Sequence, residues 1–306
     1  MLDALLGCDS DELVKKLHRV VPKLTACAVR TVEKEKDGGG ASVGLACLLT
    51  LLESRARALL RPSAASVRRA CLAALHRPLA AEVAAALFGI EPPEQWGLCW
   101  AGAVASCAAF MQALGLYTHG GRGGAAAPLV EVDASLLRLH GYQRALGAER
   151  AIEGCCRLLH HMLRRGCCVG PVALDLSALC PLLAYALAVA VDVDDADARS
   201  GVENEQGVAP RHLRLVLPQI KTHLLAVLTT LLATQPRALL GACGALLRPL
   251  SAAVLGRDAA RHPPLLHASL LCFKAGVQCF PAAIAREAQS AVAAVVDRFA
   301  AEVGWD

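Results

Sequence analysis

Leu13, Leu17, Val20, Val21 and Leu24 recur at three- and four-residue steps, the spacing that lines up one face of an α-helix. Asp9 or Ser10 is placed to cap that helix, with Asp11 and Glu12 in its first turn, and Pro22 predicts a kink or a split. Asp37-Gly38-Gly39-Gly40 then interrupts the pattern. A helix over 42–60 carries Leu45, Leu48, Leu49 and Leu52 inward and closes at Arg61-Pro62-Ser63. Two shorter helices, 67–76 and 79–88, divide at Pro78, and Pro92-Pro93 opens a long one over 94–116. Further on, the pattern predicts a helix or helix pair over 133–165 with an interruption near Gly147, then one over 174–191 with a kink at Pro181. Helices over 210–233, 236–255, 264–279 and 281–302 complete the chain.

The last four helices carry an internal spacing. Pro218 and Pro236 recur 45 residues later as Pro263 and Pro281. At the same shift Leu239, Leu247, Leu250 and Val254 fall on Ile284, Val292, Val295 and Phe299, while Leu225 and Leu228 fall on Leu270 and Phe273. Helix pairs repeated at about 40–47 residues are the mark of HEAT or armadillo arrays, in which each pair buries its apolar face against its neighbours. The expected fold is therefore all-α, an α-solenoid of HEAT/armadillo-like repeats. Its organisation reads as N-terminal helices over 1–36 and a helical-repeat domain over 41–306. Two interruptions are expected in that domain, a mobile Gly/Ala-rich loop over 117–130 and an acidic, solvated insertion over 192–209.

Composition agrees with helices. Of 306 residues 55% are hydrophobic but only 4% aromatic, and Leu and Ala dominate with few β-branched runs. A net charge of +4, with no dense Lys/Arg stripe interleaved with aromatics, gives no sign of a dedicated nucleic-acid groove. RNA contact is expected to be indirect or nonspecific. The 14 cysteines sit inside apolar helical patterns, as Cys47, Cys71, Cys107, Cys243 and Cys272 do, so reduced core thiols and a cytosolic or nuclear setting are expected. The first residues lack the basic-then-apolar order of a secretory leader. Residues 97–117 carry no charge, but Ser106, Gln112 and glycines make them a poor membrane helix, and no membrane association is expected.

Several segments occur in a familiar order: Pro93-Glu94-Gln95-Trp96, Arg150-Ala-Ile-Glu-Gly-Cys-Cys-Arg-Leu-Leu and Pro171-Val-Ala-Leu-Asp-Leu-Ser-Ala-Leu-Cys. Leu215-Val-Leu-Pro-Gln-Ile, Gln235-Pro-Arg-Ala-Leu-Leu and Leu255-Gly-Arg-Asp258 follow. Over roughly residues 60–300 they resemble the N-terminal helical-repeat region of the proline-, glutamic acid- and leucine-rich protein family, the Rix-type subunit of a pre-ribosome processing complex. The resemblance implies a non-enzymatic scaffold in large ribosomal subunit biogenesis and internal transcribed spacer processing, in the nucleus, nucleolus and nucleoplasm. It also implies a WD-repeat subunit, a second helical-repeat subunit and an AAA-type ATPase as partners, and self-association. The long acidic, proline-rich tail of that family has no counterpart in this sequence.

Four Leu-x-x-Leu-Leu boxes occur, at 2–6, 48–52, 179–183 and 228–232. Such a box on an exposed helix docks in nuclear-receptor grooves, and the resembled family is described as a transcriptional coregulator. The last three boxes lie where the core needs their leucines, which leaves Leu2, Leu5 and Leu6 as the candidate docking box. Arg55, Arg57, Arg61, Arg68 and Arg69 gather around a turn between two helices; they suit an acidic partner or an rRNA backbone, or form a solvated rim. Cys155, Cys156, His160, His161, Cys167 and Cys168 form the densest set of potential zinc ligands, yet adjacent CysCys and HisHis steps diverge. The favoured reading packs the cysteines and turns the histidines to solvent, with no metal and no cofactor.

Asp192, Asp194, Asp195 and Asp197 lack the glycine hinge and terminal glutamate of a calcium loop and read as a solvated charge run. No Walker-type phosphate loop, nucleophile elbow or His-Glu-x-x-His helix is present, so an enzyme is not expected. A transport adaptor of the importin or armadillo kind is the alternative function. It lags because Trp96, Trp100 and Trp305 are too few to form the ordered Trp and Asn rows of such grooves.

Overall fold

In the computed structural model, the described residues are 11–34, 39–117, 126–166, 174, 176–189, 208–242 and 261–280, with single positions or pairs between 245 and 259 and at 293 and 297. Among them the regular structure is entirely helical. The helices are α1 (Asp11–Lys34), α2 (Gly39–Glu53), α3 (Ala64–Ala73), α4 (Pro78–Leu87), α5 (Pro93–Ala113), α6 (Ala134–Arg138), α7 (Gly141–Gly166), α8 (Leu179–Ala188), α9 (Pro210–Thr234) and α10 (Pro263–Cys279). Arg55–Ser63 and Pro236–Ala242 are 3-10 helices.

Prolines set many of the starts. Pro78, Pro93, Pro210 and Pro263 each sit in the first turn of a helix, where the missing N–H costs nothing and the fixed φ suits the first turn. α1 runs unbroken past Pro22, which does not split it, and α9 runs unbroken past Pro218, which lies inside the helix expected over 210–233. An interior proline costs about 3 kcal/mol, whereas each buried Leu or Ile contributes roughly 1.5–3 kcal/mol. Leu213, Val216, Leu217, Ile220, Leu224 and Leu225 are all buried around Pro218, so packing outweighs the lost bond. Pro218 therefore marks no break although Pro263, 45 residues on, opens α10. The proposed counterparts at 281–302 lie outside the described residues apart from positions 293 and 297.

Other boundaries shift for local reasons. The helix expected over 42–60 ends at Glu53, because the Ser54 Oγ accepts from the Ala56 N–H at 3.1 Å and caps a 3-10 helix instead. α7 continues through Gly147, and the interruption lies earlier, at Leu139 and His140. Gly147 is there for space: a Cβ would stand 2.5 Å from Leu136 Cδ1, the side chain by which α6 folds onto α7. Pro181 lies in the first turn of α8, where it needs no kink. The stretch after Pro236 is 3-10 through Ala242, not the start of a regular α-helix.

Two expected loops are also tied down at their ends. Leu129 N–H donates to the Gly102 carbonyl at 3.0 Å and Val130 N–H donates to Ser106 Oγ at 2.9 Å, so the end of the 117–130 stretch is pinned across α5. Val208 and Ala209, at the end of the expected 192–209 insertion, are buried. The remainder of both stretches, 118–125 and 192–207, lies outside the described residues.

The buried side chains form one cluster from Val21 to Phe280. α1 packs on α2, α2 on α4, α4 and α5 on α7, α7 on α9, and α9 on α10. The contacts give direction as well as neighbours. Between α7 and α9, Gly141 meets His212, Glu149 meets His223 and His160 meets Thr230. The numbers rise together, so these two helices run parallel. Leu75 meets Gly154 and Glu82 meets Arg165, which sets α4 parallel to α7 in the same way. Cys279 Sγ donates to the Leu232 carbonyl at 3.3 Å, and Cys272 lies beside Thr229, so α10 follows the direction of α9.

α5 and α9 are long and apolar enough to cross a membrane by length and composition. Most of each is buried against other helices, as expected of core helices.

Candidate interaction surface

The arginines predicted as a set are divided by the fold. Arg57 and Arg61 are exposed on the first 3-10 helix, and Arg69 is exposed on α3. The Arg55 side chain lies outside the described residues. Arg68 faces inward: one guanidinium nitrogen lies 2.8 Å from Glu91 Oε1 and 3.2 Å from Gln95 Oε1, tying α3 to the start of α5. Arg68 thus ties two helices together while its side chain stays partly exposed. Nearby Cys99 is pushed up to about 11, chiefly by burial.

Arg68, Arg69, Leu72, Leu129 and Val130 line an open groove of about 390 Å³. The hydrogen bonds from 129 and 130 to α5 hold that part of the lining in place. Its lining is largely apolar apart from the two arginines, of which Arg69 is exposed.

The leucine boxes resolve by burial. Leu48, Leu51 and Leu52, Leu179, Leu182 and Leu183, and Leu228, Leu231 and Leu232 are all buried. The Leu2, Leu5 and Leu6 box lies outside the described residues. Trp96 and Trp100 are buried and stacked on each other, with ring centroids 5.4 Å apart, so neither lines a groove; Trp305 lies outside the described residues.

Around the densest cysteine and histidine run the side chains diverge. Cys155 and Cys156 are buried toward Cys107 on α5. His160 points the other way and lies 2.7 Å from Thr230 Oγ1 on α9, with His161 edge-on to it. The two histidines are half-buried rather than turned to solvent, which corrects that expectation. Burial lowers the pKa of both; Arg164 adds to this at His160, and at His161 Glu82 opposes it. Cys167 and Cys168 lie outside the described residues.

The sequence reading missed a different constellation. Glu149 and Glu153, one turn apart on α7, face His223 on α9, and one donor atom from each lies within 4.8 Å of the others. Glu149 is buried, and its Oε1 lies 3.1 Å from His223 Nε2. The i,i+4 glutamates were visible in sequence; the histidine 70 residues later was not connectable without knowing that α7 and α9 lie side by side. No family model matches the chain, and no curated protein or solved structure matches it.

Proposed function

We propose that this chain is a non-enzymatic scaffold built as an α-solenoid of HEAT/armadillo-like repeats, and that it works by holding partner proteins on its outer surface. The observation that supports the reading is the direction of packing. Helices far apart in sequence, α4 with α7, α7 with α9 and α9 with α10, lie side by side and parallel. An up-down bundle sets neighbouring helices antiparallel, whereas a superhelical stack brings equivalent helices of successive repeats together in one direction. Such stacks present a long outer surface, and the groove beside Arg69 suits an acidic protein segment that carries an apolar side chain.

The resemblance of the sequence segments to the Rix-type family sets the biological context of the proposal: large ribosomal subunit biogenesis and pre-rRNA processing in the nucleolus and nucleoplasm. A WD-repeat subunit, a second helical-repeat subunit and an AAA-type ATPase are the proposed partners. Affinity purification of the intact chain with mass spectrometry tests this. Recovery of large-subunit assembly factors is the expected result, with recovery reduced by the charge reversal Arg57→Glu/Arg61→Glu/Arg69→Glu. Transport receptors without ribosome-assembly proteins would overturn the context, and unchanged recovery by the reversed variant would remove the arginine surface from it.

A further inference from the structure

We propose that Glu149, Glu153 and His223 bind one divalent transition-metal ion of the zinc class, which clamps α7 to α9. This inference is independent of the scaffold reading and rests on the seam between the two helices. Three donors from two helices converge there, all within 4.8 Å of one another. His223 Nε2 and Glu149 Oε1 form a hydrogen-bonded pair at 3.1 Å, a separation close to the ligand-to-ligand edge of about 3.3 Å that tetrahedral zinc makes with bonds of about 2.0–2.1 Å, so an ion would take the place of that hydrogen bond. The third donor, on Glu153, lies within 4.8 Å of the other two and closes in when all three hold one ion.

Charge and donor type point the same way. The two carboxylates supply two negative charges toward a divalent ion, one of them shared with Arg157. Arg157 pairs with Oε1 of Glu153, so the second oxygen of that carboxylate is not engaged in that pair. One imidazole with two carboxylates suits zinc and its first-row neighbours better than magnesium or calcium, which take oxygen-only shells. Three protein ligands leave a fourth position for water. The donors also stand on long, packed helices rather than on loops, so their spacing is set by the α7–α9 core, with Ile152, Cys156, Leu224 and Val227 buried around them.

The test uses the intact chain, stripped with a chelator and titrated with zinc against a chromophoric competitor. The expected result is one equivalent bound, with the thermal midpoint raised by zinc. Glu153→Gln and His223→Gln each keep a hydrogen-bonding side chain at the seam, and Glu153 is partly solvent-facing, so both variants should fold in metal-free buffer. Loss of a supporting outer-shell group costs metal sites about 10–100-fold in affinity, so loss of a ligand should cost more than about 100-fold here and abolish the thermal shift. Cobalt substitution separates this site from the cysteines: the variant-sensitive part of the spectrum should lack thiolate charge transfer. No zinc uptake, uptake unchanged in both variants, or a thiolate band in the variant-sensitive part would overturn the assignment.

Discussion

The backbone carbonyl oxygen of Leu75 stands 2.7 Å from the place a Cβ on Gly154 would occupy. The turn before α4 thus lies directly on the backbone of α7, and glycine is what permits the approach. In an open helix Gly→Ala stabilises by about 1 kcal/mol through propensity. Here the obstacle is main chain, which does not swing aside, and overpacking of this kind costs about 1–3 kcal/mol. Gly154→Ala should therefore lower stability in urea denaturation, whereas Gly97→Ala on α5, with nothing within 4 Å of its Cβ, should leave it level or raise it.

Arg68 and Glu91 give a second expectation. The Glu91 side chain is 7% exposed and that of Arg68 is 24% exposed, so removing the arginine strands a buried carboxylate in a partly wet pair. Discounted for that solvent access, Arg68→Ala should cost about 1–3 kcal/mol in chemical denaturation. Arg69→Ala, one position on and exposed, should stay within about 0.5 kcal/mol of the parent. Equal effects at the two positions would show that the pair does not hold α3 to α5.

The helical class and many helix starts were legible because apolar spacing and first-turn prolines are local signals: α4, α5, α9 and α10 begin within a residue or two of where the pattern puts them. What was not legible depends on contacts between distant segments. Pro22 looks like a break until the buried residues around it are counted against the lost bond. Gly147 looks like an interruption until Leu136 is seen to fold over it. Arg68 looks like an unpaired member of the arginine set until Glu91 and Gln95 are brought to it. The Glu149, Glu153 and His223 group needs the parallel seating of α7 on α9, which no periodicity within either helix specifies.

Burial of the internal leucine boxes separates structure from recognition. Leu51 and Leu231 are fully buried, so Leu51→Ala and Leu231→Ala should each cost about 2–5 kcal/mol, read from denaturation midpoints. If a receptor ligand-binding domain is captured by the folded chain, the binding should survive the conservative core substitutions Leu51→Met and Leu231→Met, because neither leucine is on the surface. Loss of capture with retained stability in either methionine variant would mean that a buried box opens to bind.

Buried thiols give the chain a pH dependence with a defined sign. Burial pushes Cys71 from its ordinary 9.0 up to about 12, and Cys272 likewise to about 12. In the unfolded chain these thiols ionise near the ordinary value, so between about 9 and 12 the folded state holds protons that the unfolded state has lost. Their contribution is complete below the lower value and is lost as pH rises toward the upper one. The stability of the native chain should accordingly fall across that window more steeply than that of Cys71→Ala, once each is referenced to its own value at pH 7. In the same native state, alkylation at pH 8 followed by mass spectrometry should label exposed Cys27 well before Cys71 and Cys272. Early labelling of Cys71 would place α3 among the elements that open readily, and would contradict its position in the core.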